Sequence, residues 1–157
     1  MKPMRRKDRQ LNEISDIELI IQRSDVCRIA FADNNTPYIV TMNFGYLPGE
    51  KSSLYFHCAP EGRKIDLISR NNYVCFEMDT DHLLYPGEKD CDWGMNYSSV
   101  VGYGRISIVS DRDEKKKGLD CIMAHYSDRK EFDFDERVFS GTTILRLDIE
   151  ELTGKKK

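Results

Sequence analysis

From residue 54 to residue 65 the chain reads Leu-Tyr-Phe-His-Cys-Ala-Pro-Glu-Gly-Arg-Lys-Ile. A strand ending near His57 would meet a helix opening on Gly62, Arg63 and Lys64. A helix N-terminus leaves backbone N–H groups free and carries a partial positive charge. Arg63 and Lys64 add two cations there, and Gly62 lets a ligand come close to the backbone. The pattern suits a phosphate. A solvent-facing Arg–Lys pair at an ordinary helix start has the same local sequence, so both readings stay open. His57 adds a neutral imidazole that could donate to a ligand or move a proton. Cys58 beside it should point to the opposite face of the strand, which argues against a Cys–His dyad.

Two more stretches carry polar groups at useful spacing. Residues 38–46, Tyr-Ile-Val-Thr-Met-Asn-Phe-Gly-Tyr, alternate in the way of a half-buried strand and put Thr41 and Asn43 on one face. Residues 97–104, Tyr-Ser-Ser-Val-Val-Gly-Tyr-Gly, open on two hydroxyls, Ser98 and Ser99, which suit a ligand or a turn. No metal is expected, because no ligand pair has motif spacing. Asp79, Asp81, Asp90 and Asp92 read as a solvated acidic loop, and His82 and His125 as surface residues.

The elements that must position these groups follow from periodicity. Ser15 with Glu18 three residues on reads as a capping box, starting a helix that runs to about residue 24. Strands are expected over 26–32, 38–46 and 53–58, with turns at Asp33-Asn34-Asn35 and Leu47-Pro48-Gly49-Glu50. A helix over 62–70 should end at Asn71-Asn72 in the left-handed conformation. A strand over 73–78, a long polar loop over 79–94 and a strand over 97–109 come next. Gly102 and Gly104 within that strand suggest a bend or a close backbone approach. A helix from Asp111 to about Tyr126 should pack through Leu119, Ile122 and Met123, and a strand over 142–149 closes the series. The order is α-β-β-β-α-β-β-α-β. It predicts a mainly β, antiparallel barrel with flanking helices, formed by residues 1–157 as one domain with a helical N-terminal arm over about 1–24.

Composition narrows the classes. The 157 residues hold 24 basic and 27 acidic side chains, a formal charge of −3, which argues against nucleic acid as a partner. The basic clusters at 5–7, 115–117 and 155–157 read as solvated faces. No apolar run could span a bilayer, and no signal-peptide core opens the chain. Five widely spaced cysteines form no disulfide framework, so a cytoplasmic placement is expected.

The order of these stretches resembles the FMN-binding split barrels of the pyridoxamine 5'-phosphate oxidase-like group. The segments at 38–46, 55–59 and 97–104, with Met-Arg-Arg-Lys-Asp-Arg at 4–9 and Leu-Thr-Gly-Lys at 152–155, look like its 5-nitroimidazole-resistance branch. The resemblance implies a split β-barrel with FMN at the interface of a homodimer. It would place Val40, Thr41, Met42 and Asn43 along the flavin ring, His57 and Ala59 beside it, and Gly62, Arg63 and Lys64 on the phosphate. Ser98 and Ser99 would come from the partner subunit. FAD is an alternative, since a phosphate site does not exclude an attached adenosine. The implied activity is flavin-dependent reduction of a small electron-poor compound such as a 5-nitroimidazole, with His57 as the catalytic candidate. A flavin- or haem-binding module without turnover is the alternative. True pyridoxamine-phosphate oxidases carry a C-terminal Trp and Arg. After Gly141 this chain has no Trp, so that oxidation is not expected.

Overall fold

The computed structural model describes residues 4–157; the first three residues of the expected N-terminal arm lie outside the described residues. Among the described residues, eight strands form one antiparallel sheet: β1 (Gln10–Leu11), β2 (Cys27–Asp33), β3 (Thr36–Met42), β4 (Gly45–Leu47), β5 (Ser53–Cys58), β6 (Tyr73–Tyr85), β7 (Gly94–Ile108) and β8 (Thr143–Lys156). Their order is β3-β2-β6-β7-β8-β5-β4, with β1 added beside β8. The two ends of this path, β3 and β4, are successive in the chain. The sheet therefore rolls up until its edges meet at one connector, Asn43-Phe44, and parts there, giving the expected split barrel. Strand alternation sends Cys27, Ile29, Phe31, Leu54, Phe56, Val74, Phe76 and Met78 inward to one buried cluster.

Among the described residues four α-helices flank the sheet: α1 (Ile14–Arg23), α2 (Arg63–Arg70), α3 (Arg112–Tyr126) and α4 (Glu136–Gly141). Ile17, Ile20 and Ile21 of α1 are buried in the barrel cluster. Helix α3 covers the outside of β5 and β8, where Ile122 packs with Tyr55 and Ile144. None of the described helices is long and apolar enough to cross a membrane.

Several local expectations change. Ser15 lies inside α1, whose N-cap is Glu13 with no side-chain cap; Glu18 accepts a hydrogen bond from Tyr46 instead, at 2.8 Å. Tertiary bonding has overridden the local capping box. The strand expected over 38–46 is broken at Asn43-Phe44. Asn71 is extended, with φ −150°, because the chain turns directly into β6. Half of the loop expected over 79–94 is strand, and only 86–93 stays outside the sheet. β6 continues to Tyr85, and the polar residues are absorbed by a bulge between Thr80 and Leu83, with Asp81 at φ 58°. β8 runs well past residue 149 by pairing with β7 along its length. Met123 stays partly exposed, and α3 packs through Gly118, Leu119 and Ile122. His125 is half-buried: its ring lies 4.2 Å from that of Phe44, and Nε2 sits 2.8 Å from the Ser24 carbonyl.

α3 is seated on Gly45, the first residue of β4. A Cβ there would overlap the backbone of Cys121 and Ile122. Gly45→Ala should therefore push α3 off the sheet and lower stability by about 1–3 kcal/mol, the usual cost of overpacking. Denaturant unfolding of the two proteins measures it, and an unchanged midpoint would contradict the close seating.

Candidate functional site

A cleft of about 510 Å³ straddles the split. One wall is the β3 edge, Val40 to Asn43; the opposite wall is the end of β5, His57, Cys58 and Ala59; Lys64, Gly141 and Thr142 close it. Its size lies within the range of small-molecule sites, about 300–1,000 Å³. β3 has β2 as its ladder partner on one side and ends the sheet on the other. An edge strand offers a row of backbone N–H and C=O groups that no neighbouring strand takes up. The β3 wall thus presents alternating donors and acceptors along a line, a surface suited to the polar rim of a flat heterocycle.

The α2 start supplies charge. Gly62 is its N-cap, with φ 127° and ψ 167°, a backbone conformation that L side chains rarely adopt. No side chain caps the helix, and its first internal bonds run from the Ile65 and Asp66 N–H groups to the Gly62 carbonyl. The N–H groups of Arg63 and Lys64 therefore precede the helical ladder and can take an anion. The two cations diverge. Lys64 is half-buried and lines the cleft, whereas Arg63 is exposed. The Arg63 guanidinium lies 3.2 Å from the Asp33 carboxylate and 4.4 Å above the Tyr38 ring. Arg70 reaches the same carboxylate at 3.4 Å.

His57 sits just beyond the cover of α3, on the same face of β5 as Tyr55, and is exposed. Cys58 packs against the barrel cluster. Burial pushes its thiol up in pKa while the nearby Lys64 ammonium pulls the other way, and the net shift is upward. Cys58 is thus a protonated thiol at neutral pH, a wall of the cleft rather than a nucleophile.

Of the residues expected at the site, Val40, Thr41, Met42, Asn43, His57, Ala59 and Lys64 line one cleft. Gly62 and Arg63 flank it at the helix start. Ser98 and Ser99 are on β7, apart from the cleft of the same chain. Adjacent strand residues face opposite ways: Ser98 is 2% exposed beside Leu11, Asp16 and Ile20, whereas Ser99 lies on the outer face in the row Asp79, Ser99, Lys155. Sequence reasoning missed Gly141 and Thr142. Gly141 ends α4 and Thr142 is its C-cap; no element is expected from the sequence between Tyr126 and Thr142, although Asp135 caps α4 by accepting from the Arg137 and Val138 N–H groups. Ladder pairing of Cys58 with Thr143 then brings Thr142 alongside Ala59. Among the described residues no three His, Cys, Asp or Glu side chains gather as a metal ion requires.

With this topology and cleft in view, the relatives fall into place. The chain belongs to the pyridoxamine 5'-phosphate oxidase family, whose sequence model matches residues 13–156. Within that family it is similar to a candidate 5-nitroimidazole antibiotic resistance protein from Bacteroides thetaiotaomicron, at 32% identity over 94% of this chain and 86% of that one, with a TM-score of 0.81. The fold is shared with a flavocytochrome from Azotobacter vinelandii (16% identity, 99% of this chain and 72% of that one, TM-score 0.81). It is also shared with an FAD- and haem-binding protein from Mycobacterium smegmatis (12% identity, 95% and 73%, TM-score 0.80). No curated protein matches the chain.

The φ of 127° at Gly62 gives a test of the helix start. A Cβ there meets no atom within 4 Å, so the strain of Gly62→Ala is conformational alone. The variant should lose about 1–3 kcal/mol of stability, the cost of holding a non-glycine residue in such a conformation. Chemical denaturation reads it, and wild-type stability would mean that the turn relaxes freely.

Proposed function

We propose that the cleft across the split holds FMN and that the protein is a flavin-dependent reductase of small electron-poor compounds such as 5-nitroimidazoles. The observation that supports it best is convergence. A half-buried lysine at an uncapped helix start, an edge strand rich in free backbone groups and an exposed imidazole all border one cleft. Bound FMN would supply the electron-transfer chemistry; the protein would supply orientation and exclusion of water. Lys64, with the Arg63 and Lys64 N–H groups, holds the phosphate. Val40 to Asn43 flank the ring. His57, at the mouth, donates a hydrogen bond to the substrate or passes it a proton. No Gly-x-Gly-x-x-Gly fingerprint occurs in the sequence, so a nicotinamide donor would bind transiently over the flavin. Family membership alone does not carry pyridoxamine-phosphate oxidation to this chain.

The working unit on this reading is a two-fold homodimer with a flavin between subunits. The partner subunit's Ser99 would supply a hydroxyl from the outer face of its β7, and the partner subunit's Ser98 would support that strand from within. Five free cysteines suit a reducing, cytoplasmic setting. A flavin- or haem-binding module without turnover is the second reading. The exposed His57 favours it, since an imidazole at a cleft mouth can serve a haem as axial ligand. Purified protein should be yellow, with FMN rather than FAD released on denaturation; a red haem spectrum would support the second reading. Light scattering should give a dimer, and a monomer holding stoichiometric flavin would contradict the shared site.

Lys64 gives the sharpest test. A hydrogen bond to a charged group is worth about 1.5–3 kcal/mol. Lys64→Ala should therefore weaken FMN binding roughly ten- to a hundredfold, at tenfold per 1.4 kcal/mol. Riboflavin, which lacks the phosphate, should bind wild type and variant alike. Equal loss of both ligands, or of neither, would remove the phosphate from this turn.

A further inference from the structure

One wall of the cleft is the β3 edge and the other is the end of β5, beyond its pairing with β4, and no strand ladder joins the two directly. The shortest covalent route between them runs through the two-residue connector Asn43-Phe44, and the structure shows what holds that connector. Where β3 and β4 part, the Phe44 N–H leaves the ladder and donates to the Tyr126 hydroxyl at 3.1 Å. The same hydroxyl donates to the Asp25 carbonyl at 2.7 Å. Asp25 belongs to the link between α1 and β2, and β2 opens at Cys27 paired with Met42. One hydroxyl thus ties the connector to the strand that carries the β3 wall.

His125 reinforces the tie. Its Nε2 sits 2.8 Å from the Ser24 carbonyl, the residue before Asp25. Its ring lies 4.2 Å from the Phe44 ring, and Phe44 is wholly buried. His125 and Tyr126 are the last two residues of α3, which is itself locked onto β4 at Gly45. The last turn of α3 therefore grips both sides of the split.

We infer that Tyr126 is a positioning residue for the cleft: its hydroxyl, bridging Phe44 and Asp25, sets the place of Asn43 and of the β3 edge against the His57 wall. Tyr126 lines neither the cleft nor any contact with His57 or Lys64, so its effect passes through the backbone. The inference rests on the proposal that the cleft binds FMN and adds which residue outside the cleft controls its width.

Tyr126→Phe removes the hydroxyl and keeps the ring. In the chain without flavin, amide hydrogen exchange at Phe44 should speed up at least tenfold, with the β5 amides unchanged. With FMN, the affinity should fall roughly tenfold. The visible circular dichroism of the flavin should change even at saturating FMN, because the β3 edge sits differently against the ring. Ser53→Ala, which breaks the 2.9 Å bond to Asp148 on the β5–β8 side, controls for general loss of stability and should leave the saturated spectrum as wild type. A Tyr126→Phe protein with wild-type FMN affinity and spectrum, or a Ser53→Ala protein that reproduces its spectral change, would overturn the inference. If the wild-type chain itself binds no FMN, the reading of the cleft fails. A local speeding of exchange at Phe44 would then show the bridge to be structural only, and the positioning role would fall with the cleft.

Discussion

Everything at the site depends on where the sheet stops pairing with itself. β3 and β4 follow each other in the chain yet stand at opposite ends of the strand order. A closed barrel would have consumed the backbone groups of both edges. Here Asn43-Phe44 parts them, and the gap becomes a cleft with an edge strand for one wall. The cost of an open edge is a row of unmet hydrogen bonds. Tyr126 meets one of these at Phe44, and the burial of Phe44 under His125 anchors the connector. The remaining groups on the β3 edge are what a polar ligand can use.

Charge is arranged with the same economy. Two cations stand at the α2 start, but they do different work. Asp33 and Tyr38 hold Arg63 outside the cleft, and Arg70 shares the Asp33 carboxylate. An ion pair that is half exposed adds little stability, and its role here is to pair the guanidinium with Asp33 outside the cleft. Lys64 is left as the cation that enters the cleft. Its ammonium also acts on the Cys58 thiol, where burial outweighs it and leaves the sulfur protonated. The cleft therefore has one strong positive group and no competing nucleophile.

Much of this was legible in the sequence. The strand over 53–58 and the helix start at Gly62 were read at their observed bounds, because a turn-forming run before the strand and a glycine before two cations are local signals. Seven of the expected site residues line one cleft, since Val40 to Asn43 and His57 to Lys64 each form a continuous stretch that folds as a unit. The failures are tertiary. The capping box at Ser15 yielded to the bond between Glu18 and Tyr46. The polar run after residue 79 became strand, because β7 offered it a ladder and a bulge took up the misfit. The half-buried place of His125 depends on Ser24 and Phe44, about a hundred and about eighty residues earlier in the chain. Strand alternation sends the adjacent Ser98 and Ser99 side chains to opposite faces of β7, which the pair of hydroxyls alone does not reveal.

The most direct test of the central claim is to follow backbone amide shifts by nuclear magnetic resonance while FMN is added to the flavin-free protein. The account predicts that the large shifts fall on residues 40–43, 57–59 and 62–64. It also predicts that the basic rim of the broad groove between α3 and β4, exposed Lys116, Lys117, Arg129 and Lys130, stays unperturbed. Shifts centred on that groove, with the residues of the split unmoved, would contradict the account.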